Sequence, residues 1–313
     1  MAGNLIICFN AVLPLMIYLV IGGLIRKFNI LSEKEVKSVN RMIFVVLFPA
    51  LMFENLYSAN IRQAFDLRLE FYGIAFLMIM YGLTSVFVRK IEKSPKTRGA
   101  MIQAMYRSNF VIMGLPITIN IFGKGKAAAT AALIMIIVPL FNVLAVITLE
   151  YYRGGKTTVR SLVVRILKNP IILGAIAAIV CLLLGIKIPA TVNGVISSMS
   201  ETCSVMAMII LGASFNPVGV TRGKRNLIIT IVVRLLVYPA IGLSVAAALG
   251  FRGPAFIALL AMMAAPPAVS SFTMAQAMDS DDELAGNAVI IATPLSCLTL
   301  FMWLFIFKTM GMF

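Results

Sequence analysis

Two short stretches decide the reading of this chain: Met113-Gly114-Leu115-Pro116 and Ala264-Ala265-Pro266-Pro267. Each sits in the middle of an apolar run long enough to cross a bilayer, and each carries proline where a helix would otherwise continue. Proline has no N–H and its ring clashes with the preceding turn, so it interrupts a helix. Gly114 loosens the backbone further, and the tandem Pro266-Pro267 removes two donors at once. In hydrocarbon a freed carbonyl or amide is costly unless it meets protein or lines a wet cavity. Two such interruptions point to a polar site held near the middle of the membrane.

The composition makes the bilayer the solvent. Of 313 residues, 61% are hydrophobic and 12% charged, against roughly 25% charged in soluble domains. A water-soluble fold of this length has too little interior to hide that much apolar surface. An ordinary soluble enzyme and a disordered chain are therefore both excluded. Four isolated cysteines, Cys8, Cys181, Cys203 and Cys297, form no CxxC pair and read as small core residues. The chain has no histidine, so the commonest general base and metal ligand is missing. No metal site, no cofactor and no enzymatic activity are expected.

Spanning helices need about 20 mostly apolar residues. Ten can be drawn, at about 4–25, 39–59, 70–89, 99–122, 127–149, 169–187, 191–214, 226–249, 254–278 and 284–308. The charge is +15, with 27 Lys and Arg. Odd-numbered loops hold 18 of these and the even-numbered loops and tail hold 7. Basic residues gather on the cytoplasmic side, so odd loops are cytoplasmic and both termini lie outside. The excess charge is thus a topology signal, and no nucleic-acid partner is expected. The first span lacks the basic lead and short apolar core of a signal peptide. The remaining two cations, Arg107 and Arg234, fall inside spans.

A basic linker, residues 151–168, divides the chain into halves of five spans, 1–150 and 169–313. Pro116 and Pro267 match at an offset of 151, and Pro139 and Pro294 at 155. Because five is odd, the second half enters the membrane upside down. Inverted repeats with interrupted helices at the repeat interface are typical of secondary transporters.

Charged groups inside the membrane are expensive and are usually functional or paired. Arg107 offers a fork of donors suited to a carboxylate; the structural alternative is an ion pair with Glu201. Glu201 is itself a candidate for a coupling proton or cation, whereas Arg234 and Glu54 read as structural and interfacial. Around the interruptions, Asn109, Ser270 and Ser271 are candidates for contact with substrate, and Thr273 and Gln276 for a coupling ion. The second half of each interrupted helix points its N-terminus at the break, where partial positive charge favours an anion.

These residues resemble the auxin efflux carrier family, which includes plant auxin carriers and bacterial malonate and malate carriers. The likeness covers essentially the whole chain. It rests on Val12-Leu13-Pro14-Leu15, Asn40-Arg41, Phe48-Pro49, the Asn109…Gly114-Leu115-Pro116 pattern behind Arg107, Ala265-Pro266-Pro267, Phe272, Ala275-Gln276 and Glu283-Leu284-Ala285. The resemblance implies an all-α membrane fold of ten helices in a 5+5 inverted repeat, with broken, crossed helices 4 and 9. It implies a scaffold of helices 1, 2, 6 and 7, often the homodimer contact, and a transport domain of helices 3–5 and 8–10. It places Asn109, Met113, Gly114 and Pro116 at one crossover, Pro267, Ser270 and Ser271 at the other, and Phe48 on a pocket wall. Plant members carry a long loop between helices 5 and 6 that this chain lacks. They also tend to be apolar at the position of Ser271, so a smaller, more polar acid suits this chain better than an indole.

The expectation is a multi-pass carrier of a bacterial-type inner membrane. It moves a small organic anion, a mono- or dicarboxylate or an auxin-like acid, by elevator-type alternating access, with Na+ or H+ as possible coupling ion. The alternative is a sodium- or proton-coupled exchanger or a channel on the same fold. Replacing Glu201 with Gln is expected to change the pH or sodium dependence of transport in proteoliposomes; an unaltered profile removes Glu201 from coupling.

Overall fold

The structure is a computed structural model describing residues 2–57, 66–153, 159–215 and 223–313. The loop cations Arg62, Lys156 and Arg222 and the side chain of Cys8 lie outside the described residues. Every element among the described residues is helical. In chain order these are α1 (Ala2–Lys27), α2 (Glu33–Tyr57), α3 (Leu67–Ile91), α4 (Pro95–Tyr106), α5 (Phe110–Phe122), α6 (Ala128–Tyr152) and α7 (Val159–Leu167). They continue as α8 (Pro170–Leu183), α9 (Ala190–Ala213), α10 (Lys224–Ala248), α11 (Gly253–Ala264), α12 (Ser270–Ala277) and α13 (Asp282–Thr309).

Six of them, α2, α3, α6, α9, α10 and α13, are long and apolar enough to cross a membrane. The pair α7 and α8, bent by 66°, makes a seventh if counted as one span. The other expected spans are the 26-residue α1 and two helices interrupted midway, α4–α5 and α11–α12.

The ninth-span interruption falls where its prolines predict, over Ala265–Val269. The fourth-span interruption does not. The helix stops at Tyr106 and restarts at Phe110, while Gly114 and Pro116 lie inside the continuous α5. Pro116 leaves the Ile112 carbonyl without its usual donor, and two side chains that follow it bond back to the helix. Asn120 Nδ2 donates to the Pro116 carbonyl at 2.8 Å and Thr118 Oγ1 to that of Gly114 at 2.9 Å. The chain breaks instead at Arg107-Ser108-Asn109, because those groups are committed elsewhere. The Asn109 N–H donates to the Pro266 carbonyl at 2.8 Å, joining the two interruptions directly. Ser and Asn favour helix ends over interiors because their side chains compete for backbone groups.

Two other prolines are absorbed by a wide i→i+5 turn. In α2 it covers Ile43–Leu47, and the Phe48 N–H reaches back to the Ile43 carbonyl just before Pro49. In α10 it covers Val233–Val237, with the Tyr238 N–H on the Val233 carbonyl just before Pro239. Proline leaves the carbonyl four residues earlier without its usual donor. For Pro239 that is the Leu235 carbonyl, and the indole N–H of Trp303 takes it at 3.0 Å.

Helix packing follows membrane rules, in which small residues let backbones approach. α1 lies along α9, and α2 along α8 and α9. A Cβ on Gly22 would collide with the Ile209 carbonyl, and one on Gly212 with the Leu19 carbonyl. The contact is reciprocal and made by backbone, so no rotamer change relieves it. The loop between α12 and α13 is latched to the start of α4. Lys96 Nζ pairs with Asp279 at 2.6 Å and Thr97 Oγ1 donates to Asp281 at 2.8 Å. Gly22→Ala and Gly212→Ala are each expected to destabilise the purified protein by about 1–3 kcal/mol. Gly23→Ala, whose Cβ would meet nothing within 4 Å, should leave the unfolding midpoint unchanged or slightly raised in the same melting experiment.

Candidate functional site

Four helix ends converge where the interrupted helices meet. α4 and α11, each 12 residues long, end there, and α5 and α12 begin there. No side chain caps the N-terminus of α5 or of α12; the Ser271 and Phe272 N–H groups bond back to Ala268 and Val269, while both helix starts still direct their partial positive charge at the junction.

Arg107, at the end of α4, is 2% exposed. Its Nη2 donates to Ser270 Oγ at 2.6 Å and to Asn142 Oδ1 at 2.7 Å. Its Nη1 donates to Gln103 Oε1 at 3.3 Å and to the Met274 sulfur at 3.0 Å. Asn142 passes the chain on, its Nδ2 resting 3.7 Å from the Met52 sulfur. Every one of these acceptors is neutral. Among the described residues no ion pair joins Arg107 to Glu201 or to any other carboxylate. Glu201 is exposed on α9.

Beside Arg107 is a hollow of about 60 Å³, walled by Phe48, Phe141 and Val138 and floored by Asn109, Ser108 and Ser270. A water-sized occupant needs at least about 10–15 Å³, so a few such groups fit. The polar groups left over around it are donors. Arg107 Nε, Asn109 Nδ2, Asn55 Nδ2 and the Ser108 hydroxyl are all buried without a hydrogen-bond partner. Such groups are rare in finished interiors and call for an occupant. A carboxylate, which only accepts, complements them.

The charge arithmetic agrees. Each helix N-terminus carries about +0.5 elementary charge. Two uncapped starts with one guanidinium give roughly +2, and no carboxylate answers it. A larger hollow, about 540 Å³, opens between the starts of α2 and α13. Its walls carry both signs, with Lys37 paired to Glu33 at 2.8 Å, and it lies beyond α12 from Arg107. Size alone favours it, but the unanswered positive charge is at the smaller one.

Of the residues proposed from sequence, Asn109, Arg107, Phe48 and Ser270 meet at the small hollow. Met113, Gly114 and Pro116 lie deeper in α5, with Gly114 packed on the Phe110 ring. Pro267 is buried in the interruption, and Ser271 is fully buried with its carbonyl on Gln103 Nε2 at 2.9 Å. The Thr273 carbonyl receives Asn40 Nδ2 at 3.3 Å, and Gln276 Nε2 donates to Asp282 at 2.7 Å on the side of the larger hollow. Asn142 and Gln103 were missed. The signal for Asn142 was available, a lone amide three residues after Pro139 in an otherwise apolar span. Glu70 was missed too. It is 2% exposed in the first turn of α3, and neither carboxylate oxygen has a donor among the described residues.

A chain with this many membrane-length apolar helices and two more interrupted at a shared buried junction is a multi-pass membrane protein. The family profile described as membrane transport protein matches residues 7–304. The chain belongs to that family, the auxin efflux carrier family whose motifs it resembles. An uncharacterized transporter of Methanocaldococcus jannaschii is 24% identical over 305 residues, covering 94% of this chain and 97% of that protein. An uncharacterized transporter of Methanothermobacter thermautotrophicus is 25% identical over 307 residues, covering 94% and 96%.

Asn142→Leu strips Arg107 of its best amide acceptor. It is expected to lower stability by about 1–3 kcal/mol, the cost of leaving a buried donor unsatisfied. An unchanged melting midpoint would mean that the Arg107–Asn142 contact contributes nothing.

Proposed function

We propose that this protein is a secondary carrier that moves a small organic anion across the membrane by alternating access. The observation that carries the reading is Arg107, a buried guanidinium held only by neutral acceptors, next to a donor-rich hollow between two uncapped helix starts. A carboxylate placed there would accept from Asn109 Nδ2, Asn55 Nδ2 and Arg107 Nε, while Phe48 and Phe141 would face its apolar part. The small volume and the hydroxyl of Ser270 favour a compact mono- or dicarboxylate over an indole acid.

In this reading the ten expected spans form a 5+5 inverted repeat. Two 12-residue half-helices, each with proline near its start and each ending at the same junction, support it. Helices α1, α2, α8 and α9 form the scaffold, consistent with their mutual packing, and a homodimer forms through it. The elements around the crossing move against that frame, elevator fashion. The basic loops face the cytoplasm of an inner or plasma membrane, with both termini outside. The larger hollow would then open to the cytoplasm.

Coupling is the least constrained part of the reading. A membrane field is worth about 2.3 kcal/mol per charge per 100 mV. That suffices to expel a monoanion from a negative interior, whereas uptake requires a coupled Na+ or H+. The three coupling candidates do not share the anion hollow.

The reading is tested by a thermal-shift screen of carboxylic acids on purified protein, with malonate, malate, acetate and indole-3-acetate at equal concentration. A ligand of the folded state raises the midpoint by mass action. A saturable shift is expected for a small carboxylate. It should be reduced more by Arg107→Gln than by Arg107→Lys, and abolished by Asn109→Ala. Equal loss in the Gln and Lys variants would assign Arg107 to structure, and shifts untouched by all three variants would place the anion elsewhere.

A further inference from the structure

Arg234 is the second cation inside the apolar core. It sits in the wide turn of α10 at 0% exposure. All its polar contacts are main-chain carbonyls. Nε donates to Ala265 at 2.9 Å, and Nη2 to Met262 at 3.0 Å and Met263 at 2.9 Å. Nη1 donates to Tyr106 at 3.2 Å and Met105 at 3.4 Å. The guanidinium also lies over the Tyr238 ring, 5.0 Å from its centroid. Among the described residues no carboxylate pairs with it.

These carbonyls are not scattered. Met105 and Tyr106 are the last residues of α4, and Met262, Met263 and Ala265 stand at the end of α11. They are the acceptors that a helix C-terminus leaves unused, here sealed in the interior. Each such end carries about −0.5 elementary charge, so the two together approach −1. One guanidinium cancels that and supplies the missing donors. The fork matters, because its five N–H groups spread in a plane and reach two helix ends at once. A lysine ammonium offers three donors from one point.

We propose that Arg234 is the positioning residue of the crossing, a tethered cation that binds the C-terminal ends of α4 and α11 together where a mobile cation would otherwise be required. With the negative ends neutralised, the junction keeps only the positive charge of Arg107 and the two helix starts. Arg234 acts through that geometry and does not touch the anion. Its tie to the helix ends stands on the hydrogen bonds alone; only its effect on anion affinity rests on the function proposed above.

The test compares native protein with Arg234→Ala and Arg234→Lys in detergent, following unfolding and malonate-induced stabilisation. Guanidinium chloride is added at low millimolar concentration, with urea as a neutral isostere. Arg234→Ala is expected to unfold earlier, to regain most of its lost midpoint with guanidinium but not urea, and to bind malonate about tenfold more weakly. Arg234→Lys should fall between, and native protein should respond to neither guanidinium nor urea at that concentration. Guanidinium no better than urea, or an Arg234→Ala variant as stable as native, overturns the proposal. Should Arg234→Ala fail to fold, Arg234→Lys decides: a lower midpoint with weaker malonate binding supports the tie, and a midpoint and malonate binding equal to native overturn it. If malonate shifts no variant while guanidinium rescue holds, the anion reading fails and the tie survives.

Discussion

Backbone hydrogen bonding without water is the constraint on which this structure depends. Inside a bilayer a helix satisfies its own N–H and C=O groups, and every interruption must find partners in protein. The chain interrupts two helices at one place, and the C-terminal carbonyls of both first halves are answered by another part of the same molecule. The Asn109 N–H meets the Pro266 carbonyl, and Arg234 collects the terminal carbonyls of α4 and α11. What remains unanswered is the positive side: two helix starts, Arg107, and several buried donors. That asymmetry is what the proposed anion site rests on.

The same accounting explains features remote from the junction. Proline in α10 frees the Leu235 carbonyl, and Trp303, the single tryptophan of the chain, supplies its N–H there. In α5, Asn120 and Thr118 bond back to the Pro116 and Gly114 carbonyls. Where apolar helices must hold together without a hydrophobic driving force, Gly22 and Gly212 let α1 and α9 touch backbone to backbone. Stability and site geometry thus draw on one rule, that polar main chain is either paired or absent from the surface of contact.

The two interior arginines show how context assigns different roles to one residue type. Both are buried, and among the described residues neither is paired with a carboxylate. Arg234 meets carbonyls at the negative ends of two helices, so its charge is matched. Arg107 meets side-chain oxygens and sulfur near positive ends, so its charge is in excess. On the proposed reading, an anion would complete the second and would have nothing to offer the first.

Much of this was legible in the amino-acid sequence. Hydropathy set the solvent, because that follows from composition alone. The paired prolines announced a polar junction, and Arg107, Asn109, Phe48 and Ser270 were identified as its members. The position of the fourth-span break was not legible. Pro116 is the strongest local breaker, yet the helix yields at Arg107-Ser108-Asn109, because a contact with Pro266, 157 residues away in sequence, outweighs a local preference. Sequence context put Arg107 beside the interruption and read Arg234 as structural, but it named no helix end for either. Both are lone cations in apolar runs, and only the tertiary structure decides which faces helix starts and which faces helix ends.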